Sequence, residues 1–278
     1  MKRKLITLFI ALGAVFSLYA QEDSLRATRY VMRSTMAGVG HSNVFETYLS
    51  PLEYSGTEVR FMHESMRMTR MLGGNVSGQS LFQINASYNK NISQTAEMYA
   101  GLVNWSYALH YQFRMNDDKL KILDLNGGVV YNRRNSNNPA QAKAYGGLGA
   151  SGMVIYKFHI ARYPLTVRYQ ANLPLLGVMF SPEYGESYYE IFSLSNGGRN
   201  VLFTSLHNNP SLRQMVTLDF PIRNVVMRVG YVCDIQQAKV NNLKGHTYSH
   251  DFMIGFVRNL YLLRGKKRIS MPLKVTPF

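Results

Sequence analysis

The sequence predicts an all-β protein, a single antiparallel transmembrane β-barrel of about twelve strands, with ten to fourteen as the range. Three observations lead there. An apolar, positively led segment opens the chain. No later run reaches 18 continuous apolar residues, so helical membrane spans are not expected. Long stretches alternate with period two, the signature of strands that present different faces to different surroundings.

Residues 1–20 have the layout of a secretory signal peptide. Lys2, Arg3 and Lys4 are followed by the apolar run 5–16, and Ala20 precedes the polar Gln21, Glu22 and Asp23. The run is too short for a spanning helix, which needs roughly 20 apolar residues. Cleavage near Ala20 leaves 21–278 as one barrel domain with short periplasmic tails at both ends. Cys233 is the single cysteine, so no internal disulfide is expected, and its apolar alternating run argues for a packed or lipid-facing thiol.

The clearest strand is 97–114. Tyr99, Val103, Trp105, Tyr107, Leu109, Tyr111 and Phe113 share one face; Asn104, Ser106, His110, Gln112 and Arg114 share the other. At this length, with aromatics toward both ends, the segment suits a tilted membrane-crossing strand. Similar alternation marks Phe82–Ile84–Tyr88, Leu123–Leu125–Val129, Leu165–Val167–Tyr169, Val216–Leu218–Phe220, Val225–Met227–Val229–Tyr231 and Phe252–Ile254–Phe256. The expected strands are 45–54, 57–68, 79–90, 97–114, 120–133, 144–158, 163–174, 188–195, 201–207, 211–222, 225–238 and 246–262. Connections 116–119, 159–162, 196–200 and 223–224 read as short periplasmic turns. Connections 134–143, 175–187 and 239–245 read as longer external loops, while 69–78 and 208–210 break that alternation.

The segment Glu46-Thr47-Tyr48-Leu49-Ser50-Pro51-Leu52-Glu53-Tyr54-Ser55-Gly56, followed by Glu58, Arg60 and Glu64, resembles a family of uncharacterised outer-membrane barrels of Bacteroidota. The resemblance implies an outer-membrane location and no activity. Ser50-Pro51 interrupts strand pairing. Glu53, Glu58, Arg60 and Glu64 form a candidate charged cluster inside the barrel, best read as charges that neutralise one another.

Candidate chemistry is sparse. Lipid hydrolases of outer membranes need a serine close to a histidine base, often as His-x-Ser-Asn. Ser195-Asn196-Gly197 has part of that motif, but Ser193 stands where the histidine belongs. The weak candidate pair is therefore Ser195 with His207, and a Ser-Asn-Gly-Gly turn is the simpler reading. His41-Ser42-Asn43 lacks the intervening residue. His246 and His250 share a strand face at a spacing of roughly 13 Å, too far for one metal. Gly146, Gly147 and Gly149 open no helix and suit strand bending. No cofactor or metal site is predicted.

Formal charge is +15, and removing Lys2, Arg3 and Lys4 leaves 28 basic against 16 acidic residues. With an export signal, lipid phosphates or acidic glycans are the expected anionic partners, not nucleic acid. The lumen is expected to be lined by Arg114, Asp124, Arg168, Arg213, Asp219, Arg228, Asp234 and Asp251, with Arg–Asp contacts between neighbouring strands. The sequence thus predicts a non-enzymatic outer-membrane barrel of a Gram-negative bacterium, either a narrow pore or a structural barrel facing lipid, lipopolysaccharide or a partner. An outer-membrane lipid-modifying hydrolase, of phospholipase or lipid A deacylase type, is the alternative. A soluble exported β-protein is the third reading.

Overall fold

The computed structural model describes residues 30–112, 118–134, 140–161, 163–193, 196–262 and 268–270. The expected signal segment and both tails lie outside them. Among the described residues, twelve strands form one sheet. They are β1 (Tyr30–Glu46), β2 (Tyr54–Met68), β3 (Val76–Asn91), β4 (Glu97–Gln112), β5 (Asp118–Arg134), β6 (Ala140–Ile160), β7 (Tyr163–Phe180), β8 (Val201–Ser205), β9 (Leu212–Ile222), β10 (Val225–Val240), β11 (Leu243–Leu262) and β12 (Arg268–Ser270). Every pairing is antiparallel, and β11 pairs back onto β1, so the sheet closes on itself.

The closed ring has ten places. β8 pairs with residues 176–180 of β7, and β9 pairs with residues 166–172 of the same strand. The two run one after the other and fill a single place. β12 adds only a short pairing at one end of β11. With ten places, the barrel is nearer in width to the side-chain-filled eight-stranded barrels than a twelve-place ring would be.

Alternation in burial follows the alternation in sequence. Along β2, Glu58, Arg60, Met62, Glu64 and Met66 are buried, while Val59 and Phe61 are exposed. Along β4, Asn104, Ser106, Ala108 and His110 are buried, and Trp105 is 52% exposed. The polar side chains therefore face the inside of the ring, and many of the large apolar ones face out. Closure at the β1–β11 seam depends on small residues. A Cβ on Gly40 would sit 2.0 Å from the His250 carbonyl oxygen and 2.5 Å from Asp251 Oδ1, so only glycine admits that approach.

Several expectations need correction. The expected strand 45–54 is the end of β1 and a turn, with Thr47, Tyr48 and Leu49 leaving the ladder. The true first strand, β1, was not anticipated, because its outer face mixes Arg33, Thr35, Ala37 and His41 with few large apolar residues. Where strand 188–195 was expected, the described residues form a short helix, α1 (Tyr188–Ser193); residues 194–195 lie outside the described residues. Ser187 and Glu190 start it reciprocally: the Ser187 amide donates to Glu190 Oε2 at 2.8 Å, and the Glu190 amide donates to Ser187 Oγ at 3.2 Å. The expected turn 196–200 is a 3-10 segment in the same β7–β8 connection. The expected long loop 239–245 is a tight hairpin, with Asn241 at φ 53° and Asn242 at φ 58°. Two consecutive left-handed residues match the twist of the flanking strands, and asparagine tolerates that conformation.

Candidate functional site

The inward face carries the chemistry, and its charges bridge across the lumen. β2 and β7 stand five places apart in the ten-place ring, hence on opposite walls. Arg168 of β7 nevertheless donates to Glu64 of β2 through both ends of its guanidinium, at 2.7 and 2.6 Å. Arg228 of β10 donates to the same carboxylate at 2.8 Å, and forks onto Asp219 of β9 at 2.5 and 2.6 Å. Two guanidiniums and two carboxylates thus alternate in one neutral chain. Gln79 donates to Glu64, exchanges amide hydrogen bonds with Gln170, and lies 3.2 Å from His110 Nε2. Arg228 is 1% exposed and Arg168 is 3% exposed, so the site is dry enough that each charge needs its partner.

A second cluster lies further along the ring. Arg60 donates to Asp251 at 2.7 Å, to Asp234 at 3.1 Å and to Glu58 at 2.8 Å. Three carboxylates therefore surround one guanidinium. Asn85 and Ser249 donate to Glu58, each at 2.9 Å, and Gln83 donates to Asp234 at 3.3 Å. Lys143 of β6 reaches Glu46 of β1 at 2.5 Å.

Apolar layers separate these clusters. At the end where β1 begins, Tyr30, Met32, Met66, Met68, Met153, Ile155 and Val257 pack together from four strands. Met36, Met62, Leu81, Met215, Val232 and Met253 form a middle layer. Val44, Tyr48, Leu49, Tyr54, Met98 and Leu243 pack at the opposite end. Methionine suits such layers because its unbranched chain adapts to irregular gaps. A cavity of about 1040 Å³, counting its open mouth, remains beside the second cluster. Asn104, Asn132, Lys143, Tyr145, Arg213 and Asp234 are among its lining residues. Arg213 donates to Asn104 at 3.3 Å, a further contact between distant strands.

Of the eight lumen residues expected from sequence, Arg168, Arg213, Asp219, Arg228, Asp234 and Asp251 point inward. Arg114 lies outside the described residues, as does the side chain of Asp124. Among the described residues, Arg228–Asp219 is the one neighbouring-strand Arg–Asp ion pair of the kind that was expected; the two residues are register partners. Arg168 pairs instead with a glutamate across the lumen, and Arg60 joins carboxylates from β2, β10 and β11. Glu58, Arg60 and Glu64 form the interior charges expected of that segment, but Glu53 does not join them and is exposed. The Glu46–Lys143 pair and the glutamine bridge had no signal in the sequence, since nothing local links residues 97 apart.

The other candidates are placed apart. Ser195 lies outside the described residues. His207 sits in an exposed turn with its Nδ1 against the Ser205 hydroxyl. In the His41-Ser42-Asn43 fragment, Ser42 points inward to Asn89 at 2.8 Å while His41 is exposed. His246 contacts Asn43 at 3.0 Å, and His250 contacts the Tyr231 hydroxyl at 2.6 Å, each in its own surroundings. The glycine-rich 145–152 segment lies within β6, where a Cβ on Gly147 would meet the Leu176 carbonyl oxygen at 2.4 Å.

Fold and interior together define a closed antiparallel β-barrel whose lumen is braced by ion pairs. The chain belongs to the family described as protein of unknown function DUF3316, whose model matches residues 4–267. No curated protein matches it. Among solved structures, it is similar to the translocator domain of the autotransporter NalP from Neisseria meningitidis. That match has 13% identity and a TM-score of 0.38, and covers 90% of this chain and 96% of the other. It is also similar to the transport unit of the autotransporter AIDA-I from Escherichia coli, with 8% identity, a TM-score of 0.41, and coverage of 87% and 96%.

Proposed function

We propose that this protein is a non-enzymatic outer-membrane barrel that works as a braced, structural or interaction barrel rather than as an open pore. One observation carries the reading: the polarity of the ring is inverted. Val59, Phe61, Ile84, Val103, Trp105, Phe252 and Ile254 are exposed on the outer wall, while Arg60, Glu64, Arg168 and Arg228 are buried within. An outer wall of that kind suits lipid and is costly in water. The pairing is closed: each strand of the ring has two neighbours except the short β8, which pairs with β7 alone, and paired edges suit strands in hydrocarbon.

Arg168–Glu64 joins opposite walls and Arg228–Glu64 links strands three places apart, which argues for a structural lumen over a channel. The proposed partners are membrane lipid along the wall and, at the loop end that carries α1, lipopolysaccharide or a protein. Cell fractionation and planar-bilayer recording test this reading. The expected result is an outer-membrane protein with heat-modifiable gel mobility and no more than small-ion leakage. Recovery in the soluble periplasm, or a steady conductance of general-porin size, contradicts it.

A further inference from the structure

The outer wall carries three arginines in a row where β11, β1 and β2 adjoin, at the end of the barrel where β1 begins. Arg258 and Arg33 are register partners across the β1–β11 seam. Arg33 faces Ser65 of β2, and Arg67 stands two residues further along that strand, opposite Val31. All three side chains are exposed. None forms an ion pair with a carboxylate among the described residues. The nearby carboxylates at this end, Glu64 and Asp219, are buried in the lumen.

Side chains of directly opposed strand residues lie roughly 5 Å apart, and like charges there repel. A row of guanidiniums without a counter-charge is therefore a surface that awaits an anion. Its height on the wall identifies the kind. On β11 the outward residues run Phe252, Ile254, Phe256, then Arg258, and the Arg258 guanidinium lies 5.1 Å from the Phe256 ring centroid. On β1 the outward order is Val39, Ala37, Thr35, Arg33; on β2 it is Val59, Phe61, His63, Ser65, Arg67. Each strand passes from apolar side chains to an arginine; beyond the row only the Val31–Leu260 pair of β1 and β11 follows on the outer face among the described residues. In the membrane reading, on which this inference rests, the row lies at the level of the lipid headgroups. Guanidinium presents forked donors that match phosphate oxygens.

We propose that Arg33, Arg67 and Arg258 form a binding site for the phosphate of an anionic membrane phospholipid, in the leaflet on the side of the barrel where β1 begins. A basic side chain near an anionic lipid surface contributes about fivefold in affinity, so the row selects anionic over zwitterionic lipid. Arg70 and Arg223, also exposed at this end, extend the same field.

The test uses the full chain in nanodiscs of phosphatidylcholine with a minor share of phosphatidylglycerol. Lipids retained on release are read by native mass spectrometry. Phosphatidylglycerol is expected to be enriched on the parent over its share in the disc, and the enrichment is expected to fall about tenfold or more in the Arg33→Gln/Arg67→Gln/Arg258→Gln variant. An Arg33→Gln single variant removes the centre of the row and is expected to lose part of it. Arg133→Gln, which alters an exposed arginine at the opposite end of the barrel, is expected to keep it. A parent without enrichment, or a triple variant that keeps it, overturns the proposal while leaving the membrane reading intact. Failure of the parent to enter the bilayer overturns both.

Discussion

Replacing Glu64 by glutamine removes one negative charge from the ion chain that spans the lumen and nearly nothing from its volume. Glu64 is 3% exposed and serves two guanidiniums. The two do not depend on it equally. Arg228 retains its fork to Asp219 at 2.5 and 2.6 Å. Arg168 has no other carboxylate within ion-pair distance among the described residues, and would keep a full charge against a neutral amide and the Met66 sulfur. Orphaning one member of a buried pair costs about 3–5 kcal/mol. Equilibrium unfolding in urea from lipid vesicles is expected to show that loss. The double change Glu64→Gln/Arg168→Met removes the orphaned charge and is expected to recover most of it. The reasoning is refuted if Glu64→Gln unfolds within about 0.5 kcal/mol of the parent, since the charges would then be solvated and the lumen wet.

Other expectations follow from the same geometry. Ile254→Lys, on the outer wall, is expected to cost about 2–4 kcal/mol near the bilayer midplane, whereas the change is tolerated if the wall faces water; folding yield into vesicles separates the two. Gly40→Ala places a Cβ against the β11 backbone and is expected to destabilise ring closure by about 1–3 kcal/mol, read as an earlier loss of the heat-resistant gel form. Hydrogen bonds from the Ser187 amide and hydroxyl hold the Glu190 carboxyl below the ordinary carboxylate range. Their support for α1 is present at neutral pH and lost as pH falls through that lowered value, so protection of 188–193 from hydrogen exchange should drop on acidification in the parent and lose that pH dependence in Glu190→Gln, whose amide oxygen still accepts.

Sequence alone determined which side chains share a wall. Strand geometry sends successive residues to opposite faces, so the outward setting of Trp105, Tyr169 and Phe256 and the inward setting of Asn104, Arg168, Gln170, Arg228 and Asp234 were legible from alternation. The short β9–β10 hairpin sets Asp219 opposite Arg228 and Arg213 opposite Asp234, but only the first is an ion pair among the described residues, so the general expectation of Arg–Asp contacts was legible and the particular pair was not. Local signals existed even where the expected elements differ from the observed ones: Ser187 and Glu190 carry the spacing of a helix start, and Asn241-Asn242 the chemistry of a tight turn. β1 was illegible because each face mixes apolar with polar residues, Tyr30, Met32 and Met36 with Ser34 and Ser42 inside and Val39 with Arg33 and His41 outside, and period two shows only when the faces differ.

Only the tertiary structure decided how the ring closes and what crosses it. The number of places depends on β8 and β9 sharing one edge of β7, which no local pattern encodes. The partners of Glu64 are 104 and 164 residues away in the chain. They meet because a ten-place ring is narrow enough for an arginine on one wall to reach a carboxylate on the other. Whether the lumen is a channel or a braced interior is therefore set by ring width and side-chain reach, quantities that exist only once the sheet has closed.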